Sequence, residues 1–294
     1  MQTGYRTIVA LLAGALLTGS LLAGTGSAQL PLTGLLPSLT PELLLEIANV
    51  EAPPAGIGLQ VHADFPADNP LMIDGLAIHS FTADLTPEGG VMTRSAHTGE
   101  SAGGAGGLGE CDDPAFTPTG VQWAANTMPI LWRLDRRSTP SELKFHKTKL
   151  TVRSAHRVWP QAKTSCSDQD KITFAYNYLG HTNKNPKFDH VNLVDFGGLG
   201  GGALAVNYTW YSGKDIVEVD LRLNSDDYSW TNVEGVQMYQ VMNVVAHELG
   251  HQFGLDDLSD PHGRLTMYAR IGKGEMGNTT LGEGDLRGAQ TLSP

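Results

Sequence analysis

Polar and apolar positions alternate along much of the second half of the chain, a pattern that predicts β-strands. The clearest case is DIVEVDLRL, residues 215–223, which places valine and leucine on one face and charged side chains on the other. Short apolar runs within residues 56–94 predict a few strands near the beginning of the chain. Further strands are predicted at residues 121–134, 171–180, 190–197 and 203–211.

The spacing of apolar residues changes to that of a helix from Val236 onward. Gly254 then supplies a natural stop for this long helix. An earlier helix is predicted to begin at Thr139, because Thr139 and Glu142 form a capping box around a proline. A final helix follows an irregular loop, so the order of elements predicts an α+β domain. One apolar stripe of the long helix contains Val241, Val245, Leu249 and Phe253.

Residues 1–28 are predicted to be a signal peptide. Arg6 precedes a short apolar run, and Gly26 and Ala28 are small residues suited to a cleavage site. The alternative is a membrane anchor, but the run is short and lacks a basic stop-transfer flank. We therefore expect a secreted protein that begins near Gln29 and has no membrane-bound part.

Composition divides the rest of the 294-residue chain into three parts. The glycine-rich stretch at 99–110 is predicted to be a linker. It separates residues 29–98, either a pro-segment or a small accessory β-rich region, from a denser domain at 111–294. The formal charge of −11 disfavours nucleic acids and anionic membranes as partners, because both require basic patches.

The chain has two cysteines, Cys111 and Cys166, and in a secreted protein such a pair most often forms a disulfide.

The strongest chemical signal is HELGH, residues 247–251, on the predicted long helix. Residues four apart share one helix face, so His247 and His251 can bind one metal ion. Zinc suits two imidazoles and a third ligand, with a fourth position left for water. Glu248 is offset around the helix, so it can reach that water as a general base without binding the metal.

Asp257 is the predicted third ligand, because Gly254 allows a sharp turn three residues after His251 and Asp257 follows three residues later. His262 is an alternative ligand five residues farther on. A histidine beside a Pro-x-Gly loop is more often solvated, so we favour Asp257.

The string His-Glu-x-x-His-x-x-Gly-x-x-Asp, followed by Leu-Thr-Met-Tyr-Ala, resembles the metzincin metallopeptidases, whose third ligand is usually histidine. An aspartate at this place resembles the snapalysin variant. The tail at 281–292 is similar to the C-terminal helix of matrixins, and residues 203–223 are similar to the edge strand and following strand of their catalytic domains. The resemblance covers residues 111–294. It implies a metzincin-like domain: a twisted mixed β-sheet with an active-site helix and a C-terminal helix.

The resemblance implies one catalytic zinc held by His247, His251 and Asp257, with Glu248 as the base. Met267 would be the Met-turn residue, which packs beneath the metal without binding it. Whether the protein also binds calcium is left open.

The resemblance also implies that a polypeptide substrate lies extended along the edge strand at 204–211. Matrixin pro-segments place a cysteine on the zinc, but GECDDP around Cys111 lacks the family's Pro-Arg-Cys-Gly context. We therefore favour the disulfide for Cys111.

These observations together predict a secreted zinc endopeptidase. One alternative is a non-catalytic secreted zinc-binding protein that keeps a peptidase scaffold. Another is a zinc hydrolase that acts on a non-peptide bond, which the predicted edge strand disfavours because strand addition suits a polypeptide.

Overall fold

A computed structural model describes residues 39–73, 75–98, 108–166 and 172–294. The predicted signal peptide, residues 1–28, lies outside the described residues, as does most of the predicted linker. No helix within the described ranges combines the length and apolar character needed to cross a bilayer.

The described residues form four α-helices and thirteen β-strands. The helices are α1 Pro41–Ala48, α2 Phe145–Ala155, α3 Val241–Gln252 and α4 Glu283–Leu292. The N-terminal strands are β1 Gly58–Asp64, β2 Leu71–Ile73, β3 Leu76–Leu85 and β4 Val91–Thr98. The others are β5 Thr117–Pro118, β6 Ile130–Asp135, β7 Tyr176–Thr182, β8 Asn192–Gly197, β9 Ala205–Ser212, β10 Asp215–Asn224, β11 Trp230–Thr231, β12 Tyr239–Gln240 and β13 Leu255–Asp256.

One mixed sheet connects the N-terminal region to the rest of the protein. Its strand order is β2-β3-β1-β9-β10-β8-β6-β7, and β4 pairs with β3. The pairs β10–β8, β8–β6 and β6–β7 are parallel, whereas β10–β9, β9–β1 and β1–β3 are antiparallel. The predicted α+β class with a mixed sheet is thus confirmed.

Strand β9 is not an edge strand, and here the prediction for residues 204–211 was wrong. β9 pairs with β10 on one side and with β1 on the other, over seven residue pairs from Gly58–Tyr211 to Asp64–Ala205. The reason is that a strand's own sequence does not specify its neighbours. The N-terminal region, which sequence left as either a pro-segment or an accessory region, supplies the extra strand.

Two apolar clusters lie on opposite faces of this sheet. The larger contains only residues between Val121 and Leu292 and packs α2, α3 and α4 against the sheet. The smaller packs α1 and the N-terminal strands against Val206, Tyr208 and Trp210 of β9. Because successive strand residues face opposite ways, β9 contributes to both clusters.

Strand β1 is buried on both faces, although only one of them is apolar. Leu59, Val61 and Ala63 belong to the smaller cluster. The opposite face carries Gln60, His62 and Asp64, which are 3%, 2% and 1% exposed. Buried polar side chains are costly without partners, so this face must lie against a polar part of the interior.

The helices differ from the sequence predictions mainly where they begin. Thr139 does not cap a helix, because its hydroxyl donates to the carbonyl of Asp135. A 3-10 turn at Ser141–Leu143 follows, Lys144 adopts a left-handed φ of 56°, and α2 begins at Phe145. The long helix begins at Val241 rather than Val236, and its predicted apolar stripe is fully buried.

Candidate metal centre

Helix α3 places His247 and His251 side by side in the interior. Both rings are buried, and their Nε2 atoms lie 3.1 Å apart. This follows from their four-residue spacing, which puts the two side chains on one face about one turn apart.

Asp257 joins the two histidines, as the spacing predicted. α3 ends at Gln252, and Gly254 has a φ of 96°, a conformation that residues with a Cβ rarely adopt. The turn brings Asp257 Oδ1 to 3.2 Å from His247 Nε2 and 3.6 Å from His251 Nε2. The alternative ligand, His262, instead lies with its Nδ1 2.9 Å from Asp113.

A third histidine reaches the same point from β1, and sequence analysis missed it. His62 Nε2 lies 3.3 Å from Asp257 Oδ2, and the His62 ring stacks on His251 with centroids 3.4 Å apart. The ligand atoms of His62, His247, His251 and Asp257 all lie within 4.8 Å of one another.

Asp64, also on β1, was missed as well. Its Oδ2 lies 3.4 Å from His247 Nε2. One signal could have pointed to both residues. The strand GLQVHAD is apolar on one face and carries an amide, an imidazole and a carboxylate on the other.

Each of the three imidazoles is oriented by an acceptor on its other nitrogen. His247 Nδ1 lies 2.6 Å from the carbonyl of Thr266, and His251 Nδ1 lies 2.9 Å from the carbonyl of Leu255. Carbonyls only accept, so both Nδ1 atoms carry protons and both Nε2 atoms can bind a metal. This arrangement is typical of metal-binding histidines.

His62 is oriented in the same way through a hydroxyl. Its Nδ1 lies 2.9 Å from Thr82 Oγ1, which lies 2.6 Å from Asp256 Oδ1. Because a carboxylate accepts, the Thr82 hydroxyl donates to Asp256 and is free to accept from His62 Nδ1. His62 Nε2 is therefore directed at the cluster.

The charges of the cluster reinforce one another. Burial alone would lower the pKa of His62 and His247, but the carboxylates of Asp257 and Asp64 outweigh it and raise both pKa values well above the usual range. Burial opposes ionisation of Asp257, yet the neighbouring imidazolium groups hold its pKa well below the usual range. Metal binding would displace the Nε2 protons of His62 and His247.

The donor set fits a zinc ion. Both oxygens of Asp257 and Asp64 Oδ2 are buried and have no hydrogen-bond partner among the described residues. Ligands about 2.0–2.1 Å from a tetrahedral zinc are about 3.3–3.4 Å apart. Four of the separations in the cluster, measured to one or the other oxygen of Asp257, are 3.1 to 3.6 Å, and all four ligand atoms lie within 4.8 Å of one another.

Glu248 lies beside the cluster without joining the four residues. It is fully buried, and neither of its oxygens has a hydrogen-bond partner within the described ranges. Burial, assisted by the charge of Asp64, raises the pKa of Glu248 well above its usual range. An unpartnered buried carboxyl group next to a metal-binding cluster is a candidate acid–base residue.

Met267 packs directly against α3. A Cβ built on Gly250 would lie 2.1 Å from Met267 Sδ, so only glycine leaves room for this contact. Asp285 of α4 holds the turn in place, because it accepts the backbone N–H groups of Thr266 and Met267 at 2.8 and 3.2 Å. The carbonyl of Thr266 in turn orients His247.

The predicted disulfide is also present: Cys111 and Cys166 are bonded. Cys111 is therefore not available as a metal ligand.

A sequence model of the matrixin family matches residues 122–293. The chain belongs to the matrixin family. Matrixins are zinc metallopeptidases, so the family assigns hydrolase activity on peptide bonds and a zinc cofactor to this chain. The match contains His247, Glu248, His251 and Asp257 but not β1, so His62 and Asp64 lie outside it. A comparison with curated proteins finds no match.

Proposed function

We propose that this chain is a secreted zinc-dependent endopeptidase in which Glu248 is the general base. One observation carries the proposal. His247, His251 and Asp257 converge on one point beside an unpartnered glutamate, within a matrixin domain. Secretion is supported by the character of residues 1–28 and by the Cys111–Cys166 disulfide, because disulfides persist mainly in oxidising compartments.

Bound zinc would polarise the scissile carbonyl and acidify a water molecule. Glu248 would accept the proton of that water and pass it to the leaving amine. Burial raises the pKa of Glu248 above its usual range, which makes its carboxylate a stronger proton acceptor. Thr266 and Leu255 would keep His247 and His251 in the metal-binding tautomer throughout.

The substrate would be a polypeptide in extended form, which could add as a strand to β9 only once β1 no longer pairs with it. β9 lies beside α3, and its Asn207 and Thr209 lie on the same face as His62. Strand addition is specific for a peptide backbone, which favours peptide bonds over other hydrolysable bonds.

A non-catalytic zinc-binding protein is the second candidate, because one observation favours it. Four protein side chains surround the metal position, and closed four-residue sites are typical of structural zinc. An intact Glu248 beside the cluster favours the peptidase.

Casein cleavage tests the proposal, with new peptide termini detected by mass spectrometry. The full chain and a fragment of residues 108–294 are compared. The fragment keeps the larger apolar cluster and the disulfide but exposes Val206, Tyr208 and Trp210 of β9, so its folding is checked before cleavage is compared. Zinc content and circular dichroism confirm loading and folding.

Glu248→Gln is expected to reduce cleavage by about 10²–10⁴-fold while one zinc per chain is retained, since it removes only the base. The exposed Glu142 supplies the control, and Glu142→Gln should leave cleavage unchanged. Folded, zinc-loaded protein that cleaves nothing in any form would contradict the peptidase and favour the zinc-binding protein.

A further inference from the structure

Strand β1 occupies the position on β9 where a substrate strand would add. The two strands are antiparallel over seven residue pairs, and His62 faces Asn207 in the middle of this register. While β1 is paired, β9 has no free edge along Ala205–Tyr211. The proposed substrate and β1 therefore compete for one set of backbone groups.

We propose that β1 is an intramolecular inhibitor and that His62 is the fourth ligand of the metal, which keeps the full chain latent. This inference rests on the proposed function and adds the regulation of the same site.

The side-chain geometry of His62 supports metal binding rather than simple packing. Its Nε2 points at Asp257, and the Thr82–Asp256 pair fixes its Nδ1 as the donor nitrogen. His62 thus has the same two-sided arrangement as His247 and His251. A histidine that served only as core would have no need for an Nε2 within reach of the other ligands.

A fourth protein ligand would change what the site can do. Catalytic zinc sites have three protein ligands and leave one position for water, whereas closed sites have four. With His62 in place there is no position for the attacking water. The same strand therefore blocks both the water and the peptide.

The N-terminal region is held firmly enough to act in this way. The Leu204 N–H donates to the carbonyl of Asp64 at 2.7 Å, and the Gly200 N–H donates to the carbonyl of Ile47 at 2.9 Å. The Tyr208 hydroxyl donates to the carbonyl of Ala48. These bonds join the apolar contacts of the smaller cluster.

The catalytic core has an apolar cluster that does not involve the N-terminal region. The larger apolar cluster includes no residue before Val121, and the family match begins at residue 122. Displacement of β1 would remove His62 and free the edge of β9 without disturbing the ligands on α3. The smaller cluster also includes Val206, Tyr208 and Trp210 of β9, so departure of the N-terminal region would expose these three side chains.

X-ray absorption at the zinc edge of the zinc-loaded full chain tests directly whether His62 binds the metal. The outer-shell scattering gives the number of imidazoles bound to the zinc. Three imidazoles are expected in the wild type and two in His62→Gln. The control is His97→Gln, a buried histidine of β4 in the same N-terminal region, which should keep three. Two imidazoles in the wild type, unchanged by His62→Gln, would overturn the proposal.

A second measurement uses no substitution in the full chain. The synthetic peptide of residues 56–66 is added to the 108–294 fragment during casein cleavage. The peptide is expected to inhibit, and its His62→Gln version should inhibit at least about tenfold more weakly, a loss that removal of even an outer-shell partner of a metal ligand produces. Equal inhibition by both peptides would contradict a metal-binding role for His62.

The outcomes separate this inference from the proposed function. Equal cleavage by the full chain and the fragment would overturn latency and leave the peptidase standing. A fragment that binds zinc and cleaves nothing would contradict the peptidase, while the imidazole count would still decide the role of His62.

Discussion

Burial in the protein interior strongly changes the pKa of one histidine, His156. Its ring stacks on Trp132 with centroids 3.7 Å apart, and Nδ1 donates to the carbonyl of Val152 at 2.8 Å. Nε2 is buried and has no hydrogen-bond partner in the described part of the chain. Burial lowers the pKa of His156 to about 3.

We expect His156 to make the fold less stable as the pH falls. The unfolded chain takes up a proton near pH 6.5, but the folded chain does not until about pH 3. Between these values the unfolded state binds more protons, so the free energy of unfolding falls with pH by up to about 1.4 kcal/mol per pH unit. His156→Phe keeps the stacked ring and should remove this slope.

Urea unfolding at pH 6 and pH 4.5 checks this prediction, because the difference between wild type and variant cancels all other titrating groups. The control is His146→Phe on the exposed side of α2, which should keep the wild-type slope. An identical pH dependence in His156→Phe would show that His156 is not held neutral.

At the metal centre, sequence could predict the residues whose spacing is fixed locally. His247, Glu248 and His251 are placed by the helical repeat, and Asp257 by the turn at Gly254. His62 could not be found in this way. It reaches the cluster through the pairing of β1 with β9, and no local spacing relates residues that meet across a sheet.

Among the elements, α3 and the turn that contains Met267 depend on close contact. A Cβ on Gly250 would lie 2.1 Å from Met267 Sδ and 2.8 Å from Trp159 Cζ2. Trp159 is itself fixed, since its Nε1 donates to the carbonyl of Ala246 at 2.8 Å. The contact holds the turn that orients His247.

Gly250→Ala is therefore expected to lower the free energy of unfolding by about 1–3 kcal/mol, the usual cost of overpacking, and to weaken zinc binding. Gly277→Ala is the control, because a Cβ there meets no atom within 4 Å, and its effect should stay within about 0.5 kcal/mol. Urea unfolding and zinc titration measure both effects. Equal stability of the two variants would contradict the packing argument.

The sequence predicted whether each element is a helix or a strand, but it was less informative about where the elements begin and which strands pair. α4 forms where the pattern placed it, whereas α3 begins five residues after Val236 and α2 begins six residues after Thr139, whose hydroxyl donates to the carbonyl of Asp135. β9 is buried on both faces, but burial of its faces does not specify which strands pair with its edges.

At the scale of the whole molecule, two apolar clusters share one sheet. The α+β class and the catalytic core could be predicted, because their helices and strands have clear periods and the zinc motif lies on one of them. The role of residues 39–98 could not. That role depends on where β1 pairs, and only the three-dimensional structure shows that β1 brings His62 to the residues of α3.

An anomalous difference map at the zinc edge, from crystals of the zinc-loaded full chain, tests this account most directly. We expect one peak about 2.0–2.2 Å from Nε2 of all three histidines of the cluster and from a carboxylate oxygen of Asp257. A peak elsewhere, or none, would contradict the metal centre. A peak at the cluster with water in place of His62 would contradict the latent state.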